Sequence, residues 1–272
     1  MEISQAIILG MLQGLTEFIP VSSSAHLILF PWFFDWKDPG LAFDVFLHLG
    51  TLCALMVYFF RELWEIASGG IQSLVQRRIG FEPDRQLFWM LIFGSIPAAI
   101  AGVLFHHLAE ETFRAPLLIA TMLSFVGFVV LWVDGHYPAL KRFEELNFGS
   151  AFLIGIAQAF AIIPGVSRSG ATMAMGRRLG FSRDSAAKFS FLLCIPIILG
   201  AVVMKIPELT HQVGNEISWS YVLSGFGSAF FFGMISIHFM LGYLRNADLA
   251  LFTWYRLGLS IFVVVWSLFF KV

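Results

Sequence analysis

Six apolar stretches, separated by short polar ones, run along this chain: Leu41–Phe60, Leu87–Phe105, Pro116–Val133, Ser185–Ile206, Trp219–Leu241 and Leu249–Phe270. Each is as long, or nearly as long, as the roughly 20 residues a helix needs to cross hydrocarbon. Two further apolar segments are broken: Ile3–Phe34 at Pro20, and Phe148–Leu179 at Pro164-Gly165. Each half of these is too short to cross alone, so each segment is predicted to dip in and return as a helix–loop–helix. Such irregular backbone is tolerated at membrane depth only where it packs against protein or lines a wet cavity. The pattern predicts an all-α polytopic membrane protein with six spanning helices and two re-entrant hairpins. Residues 1–272 form a single membrane domain, since the longest loop, Arg61–Gln86, is too short for a second one.

The broken segments repeat. A shift of 145 residues aligns Gly10 with Gly155, Gln13 with Gln158, Val21 with Val166, Ser22 with Ser167 and Ser24 with Ser169. Three spanning candidates follow each hairpin, which places repeat one at about 1–135 and repeat two at about 146–272. Three crossings is an odd number, so the second half enters from the opposite face: an inverted-topology repeat whose hairpins meet near the midplane. Basic residues set the orientation. One set of loops holds Arg61, Arg77, Arg78, Arg85, Lys141, Arg142, Arg177, Arg178, Arg183, Lys188 and Arg245, and the other only Lys37, Arg114, Lys205 and Lys271. The first set is expected to be cytoplasmic, with both termini outside, the first hairpin entering from outside and the second from the cytoplasm.

Composition agrees with a membrane setting: 58% of residues are hydrophobic and 13% charged, against about a quarter charged in a soluble domain. A net charge of −1 with no basic tail gives no reason to expect a nucleic-acid partner. Cys53 and Cys194 lie in apolar runs and read as small buried hydrophobes rather than a disulfide or metal pair. The first apolar run carries Gln13 and Glu17 and lacks a basic flank, unlike a cleavable signal peptide.

Charged groups at a helix centre in hydrocarbon cost about 2.5–3.5 kcal/mol on insertion scales, so Glu17, His26 and Arg168 are the candidates for chemistry. Gln13 and Glu17 are four apart and share a helix face. Two readings are open: part of a Mg²⁺ or Ca²⁺ site completed by water and substrate oxygens, or a hydrogen bond that steadies the break. Ser22-Ser23-Ser24 follow Pro20 and can open a returning half-helix, where they either cap it or face an anion at its positive end. His26 lies three residues after Ser23, within reach of a Ser–His hydrogen bond that suits a base-activated nucleophile; a structural hydrogen bond is the alternative. In the second hairpin Arg168 stands where the first has Ser23. Arg grips phosphate bidentately, or else pairs with Glu17. Ser167, Ser169, Gly170 and Thr172, with Ser22 and Ser24, are the candidate substrate-binding positions. An acid, an imidazole and hydroxyls on one side, and a cation with helix-end dipoles on the other, is the set phosphoryl transfer needs. Asp44 and His48, also four apart, are expected in supporting or capping roles. His106, His107, Glu110 and Glu111 are expected in a solvated outer loop, Arg177-Arg178 as cytoplasmic flanks, and Arg256 to snorkel or pair with an acid.

Gln13-x-x-x-Glu17, Pro20-Val-Ser-Ser-Ser-Ala-His26 and Pro164-Gly-Val-Ser-Arg-Ser-Gly170 resemble the signature segments of bacterial undecaprenyl pyrophosphate phosphatases of the bacitracin-resistance type, and the resemblance covers essentially the whole chain. It implies a multi-pass enzyme of the bacterial plasma membrane with interlocked inverted repeats. The enzyme removes the terminal phosphate of undecaprenyl pyrophosphate, yielding the lipid carrier reused in peptidoglycan synthesis, and depends on a divalent cation, Mg²⁺ or Ca²⁺. By motif position it implies Glu17 and Gln13 in metal binding or catalysis, Ser23 and His26 in attack on phosphate, and Arg168 in gripping the pyrophosphate. Gln13 departs from members with Glu there, and Ser24-Ala25 replaces a common Thr-Gly. The expected mechanism is metal-assisted attack by Ser23 with His26 as base; attack by His26 itself, or by water activated through Glu17, stays open. The site is expected to open to the periplasmic side. The partners are a polyprenyl pyrophosphate lipid and the bilayer, with a homodimer left open. A polyprenyl-phosphate flippase is the competing class, because broken helices in inverted repeats are transporter architecture.

Overall fold

The computed structural model describes residues 2–110, 112–213 and 218–270. Among them are eleven α-helices: α1 (Ile3–Glu17), α2 (Ser23–Phe33), α3 (Leu41–Tyr58), α4 (Phe60–Val75), α5 (Pro83–Glu110), α6 (Pro116–His136), α7 (Phe148–Ala159), α8 (Arg168–Arg178), α9 (Arg183–Gln212), α10 (Trp219–Tyr243) and α11 (Ala250–Phe270). The described residues contain no strand beyond an isolated bridge between Lys141 and Phe181. Six helices, α3, α5, α6, α9, α10 and α11, are long and apolar enough to cross a membrane, as the hydropathy pattern predicts. Local chemistry sets their starts. Pro116 stands in the first turn of α6, and the Ser182 and Ser218 hydroxyls cap α9 and α10 by accepting from the Ser185 and Tyr221 amides.

Three expectations need correction. The segment expected as a loop after Arg61 contains α4, separated from α3 by Phe59 alone. It buries Ile66, Gly69, Gly70 and Ser73, an i, i+3, i+4, i+7 stripe of the helical period. At 16 residues, with two glycines and five polar or charged neighbours diluting its hydropathy, it lacks the length and apolar run of a span. The outer loop expected around His106 and His107 is instead helical, because α5 runs on to Glu110; Glu111 lies outside the described residues. Arg177 is no exposed flank. It is buried, with Nε donating to Asp134 Oδ1 at 2.8 Å, and Arg183 joins the same carboxylate at 2.8 Å.

Packing crosses between the halves. α1 lies along α10 and α7 along α5, so each broken segment packs on a helix of the other half, while α6 pairs with α11 and α3 with α9. Glycine makes the first two contacts possible. A Cβ at Gly10 would overlap the Gly225 carbonyl oxygen, and one at Gly155 would overlap the Gly94 carbonyl oxygen. The two glycines matched by the 145-residue shift therefore do the same work, letting backbones touch. Outward faces stay apolar, with Phe125 and Phe128 on α6 and Ile261 and Leu268 on α11 exposed.

Because the obstacle at Gly155 is backbone, Gly155→Ala is expected to destabilise by about 1–3 kcal/mol, the usual cost of overpacking. The thermal midpoint in detergent should fall, and Gly10→Ala should behave alike. The glycines with open space around them, Gly227 and Gly242, should tolerate alanine.

Candidate active site

The two breaks are built alike. Ser22 ends the first with φ +74° and Ser167 ends the second with φ +70°. Each serine caps the helix that follows, the Ser22 hydroxyl accepting from the Ala25 amide at 3.4 Å and the Ser167 hydroxyl from the Gly170 amide at 3.1 Å. The capping hydroxyls lie 3.2 Å from Ser24 Oγ and 3.3 Å from Ser169 Oγ. The breaks also bind one another: the Gly165 amide donates to Ser22 Oγ at 3.0 Å, and Ser169 Oγ donates to the Ile19 carbonyl at 3.2 Å. Arg256 of α11 clamps both. Its Nη1 donates to the Pro20 carbonyl at 3.0 Å and its Nη2 to Gly165 and Val166 at 2.8 and 3.2 Å, while Nε donates to Leu123 at 3.1 Å. Arg256 thus neither snorkels nor pairs with an acid: buried carbonyls freed by the breaks take its protons.

Beneath the clamp, Glu17 of α1 meets Arg168 of α8, with Arg168 Nη2 3.2 Å from Glu17 Oε1. Arg168 Nη1 donates to the Ser190 carbonyl on α9 at 2.8 Å, and its Nε has no hydrogen-bond partner. Glu17 Oε2 accepts from Ser23 Oγ at 2.6 Å and from Gln13 Nε2 at 2.9 Å, and lies 3.4 Å from His48 Nε2. His48 Nδ1 is 2.7 Å from the Asp44 carbonyl oxygen, which only accepts, so Nδ1 carries a proton.

A cavity of about 390 Å³ opens onto this cluster. Of the sequence-predicted residues, Glu17, Ser22, Ser23, Ser24, Ser167, Arg168 and Ser169 line it, while Gln13, His26, Gly170 and Thr172 stand behind. Its walls are the first half of α3 and the second halves of α5 and α9, including His106 and Lys205, with Arg114 from the turn before α6. Arg114 is fixed by Asp38 at 2.7 Å and Asp44 at 3.1 Å, and these two carboxylates raise its pKa against the opposing effect of burial.

The expected Ser23–His26 hydrogen bond does not form. Ser23 turns back to Glu17, while His26 Nδ1 donates to the Ser22 carbonyl at 2.8 Å and Nε2 accepts from Tyr255 Oη at 2.7 Å. The helical turn that brings positions 23 and 26 together also aims the imidazole at the carbonyl four residues back. Gln13 supports Glu17, its Oε1 buried and unbonded, and Thr172 holds Ser190 at 2.6 Å behind Arg168. Sequence reasoning underrated Asp44 and His48, whose i, i+4 spacing was visible, and missed Tyr255 and Ser190, which no local pattern marks.

Hard-cation chemistry fits the donors in part. Glu17 and Asp44 line the same cavity, and Asp44 Oδ1 is buried without a partner. Among the described residues no three His, Cys, Asp or Glu groups converge as a cage. That suits an ion bound by one or two carboxylates, water and phosphate oxygens.

A family model described as bacitracin resistance protein BacA matches residues 6–262, a span that includes both breaks and every wall of the cavity. The chain belongs to the BacA family. Undecaprenyl-diphosphatases of Moorella thermoacetica and Pelotomaculum thermopropionicum are similar to it, at 47% and 46% identity over 97% of this chain and 97% of each relative. That of Caldicellulosiruptor bescii is 43% identical over the same shares. The match extends over the whole polar cluster, since Gln13, Glu17, α2, α8 and Arg256 all fall inside the matched residues.

Glu17 and Arg168 should be energetically coupled. Removing one partner of a buried pair leaves the other uncompensated, at a cost of about 3–5 kcal/mol. In a double-mutant cycle by thermal unfolding in detergent, Glu17→Gln and Arg168→Gln singly should each destabilise more than the additive share of the double variant. The coupling should be about 1–3 kcal/mol.

Proposed function

We propose that this protein is a membrane phosphatase that hydrolyses undecaprenyl pyrophosphate to undecaprenyl phosphate and inorganic phosphate, returning the lipid carrier to cell-wall synthesis. Family membership and the names of its relatives support the reaction. The observation that carries the site is the meeting of Glu17, Ser23 and Arg168, from opposite halves of the chain, at one cavity.

In this reading the diphosphate lies against Arg168, whose unpartnered Nε supplies a donor, with the Ser167 and Ser169 hydroxyls beside it. Ser23 Oγ attacks the distal phosphorus. Its proton passes to Glu17 Oε2, 2.6 Å away. The Oγ–P bond forms as the bond from phosphorus to the bridging oxygen breaks, and undecaprenyl phosphate leaves. Water then attacks the phosphoserine, giving inorganic phosphate and restoring the hydroxyl. Glu17 and Asp44 would hold a divalent cation, Mg²⁺ or Ca²⁺, with Gln13 behind Glu17. When bound, it supplies positive charge to the phosphate oxygens. His26, with both ring nitrogens engaged, holds the Ser22 turn against Tyr255 and so positions Ser23.

The two broken segments are taken as re-entrant hairpins of an inverted repeat, supported by the matched packing of α1 on α10 and α7 on α5. The cavity would face the periplasm, because it opens toward the ends of α3, α5 and α9 near the sparse basic residues Arg114 and Lys205. The mostly apolar walls of α5 and α9 suit the first isoprene units of the tail.

Purified protein in detergent should release inorganic phosphate from undecaprenyl pyrophosphate, and a chelator should stop it. Detergent leaves no compartments, so a pure flippase would release none. Arg168→Ala should lose at least about a hundredfold in kcat/KM, given the worth of a charged donor at a developing phosphate charge; near-wild-type turnover would defeat the site assignment. A denaturing quench at neutral pH during turnover, which preserves phosphoserine and phosphohistidine alike, should trap phosphate on Ser23. A label on His26 instead would overturn the choice of nucleophile, and finding neither would favour direct attack by water.

A further inference from the structure

The 145-residue shift that relates the breaks also places Gln158 of α7 opposite Gln13 of α1, and Ile162 opposite Glu17. In the first half the amide has its acceptor within the protein: Gln13 Nε2 donates to Glu17 Oε2 at 2.9 Å. In the second half that acceptor is missing. Gln158 is 3% exposed, yet both its Nε2 and its Oε1 lack any hydrogen-bond partner. A buried amide left unpaired costs about 1–3 kcal/mol, and an apolar side chain of similar size would avoid that cost. Gln158 also differs from Gln13 in position. It lines the cavity, together with Ile162, Ser167 and Arg168, while Gln13 does not.

We infer that Gln158 is a substrate-binding residue whose Nε2 donates to a diphosphate oxygen of the lipid held by Arg168. The ligand supplies the anionic oxygen that Glu17 supplies to Gln13 in the other half. Its Oε1, an acceptor, favours a phosphate oxygen that still carries a proton, or a water on it. The inference rests on the proposed reading of the Arg168 cluster as the diphosphate site.

The test is steady-state phosphate release by purified full-length protein in detergent, with undecaprenyl pyrophosphate as substrate, alongside thermal unfolding without substrate. Gln158→Leu should raise KM about 10- to 100-fold, the range for one hydrogen bond to a charged group. Its thermal midpoint should be unchanged or higher, since the unpaired amide is gone. Gln158→Glu should raise KM further by repelling the diphosphate. Inorganic pyrophosphate should raise the midpoint of the wild-type protein more than that of Gln158→Leu. A wild-type KM in Gln158→Leu would overturn the inference, as would a lowered midpoint with unchanged KM, which marks a purely structural amide. Should Gln158→Leu fail to fold, Gln158→Asn withdraws the same amide by one methylene: a raised KM supports the inference and a wild-type KM sinks it. Arg168→Ala separates the two failures. Full turnover there defeats the site reading itself, whereas loss of turnover there with an indifferent Gln158 defeats only this inference.

Discussion

The site depends on one guanidinium that the proposed chemistry never touches. Breaking a helix at membrane depth frees backbone carbonyls that hydrocarbon cannot satisfy, and burying an arginine there leaves donors in the same difficulty. Arg256 resolves both problems at once. Its protons go to carbonyls of Pro20, Gly165, Val166 and Leu123, so the two breaks and α6 share a single set of hydrogen bonds. With the turns tied together, Ser22 and Ser167 can hold left-handed backbone conformations that L-residues rarely adopt. The helices leaving those turns then bring Ser23 and Arg168 to opposite sides of Glu17.

On that common scaffold the two breaks differ. Both keep the capping serine, the second hydroxyl two residues on, the glycine that touches another helix, and the glutamine. Only the first keeps a carboxylate at the base of the break, and only the second has a cation at its head. A symmetric pair could offer two acids or two cations to a ligand. The asymmetric pair instead neutralises itself, through the 3.2 Å contact between Arg168 and Glu17. A buried ion pair is weak evidence of stability, and this one lies at a cavity between the two broken segments.

Much of this was legible in the sequence because hydrocarbon imposes simple rules. Long apolar runs gave the six spans, and prolines inside apolar runs gave the two breaks. The recurrence of Gly, Gln and Ser at a fixed offset pointed to matched halves, and the structure repeats that match down to the capping hydrogen bonds. What stayed hidden was either amphipathic or long-range. α4 buries a stripe of glycine, serine and isoleucine that no hydropathy window favours. Tyr255 reaches His26 across 229 positions of chain, and Arg256 reaches Pro20 across 236. The spacing of Ser23 and His26 was read correctly as one helical turn, but local geometry offered the imidazole a nearer carbonyl at Ser22. Ser23 found its acceptor six residues back, across the break, where no helical periodicity applies.

The packing of α1 along α10 has a consequence for folding. Eight α-helices separate α1 from its long partner α10 along the chain, whereas α6 alone separates α7 from α5, so the α1–α10 contact closes a far longer loop. The two halves are packed into one another rather than side by side.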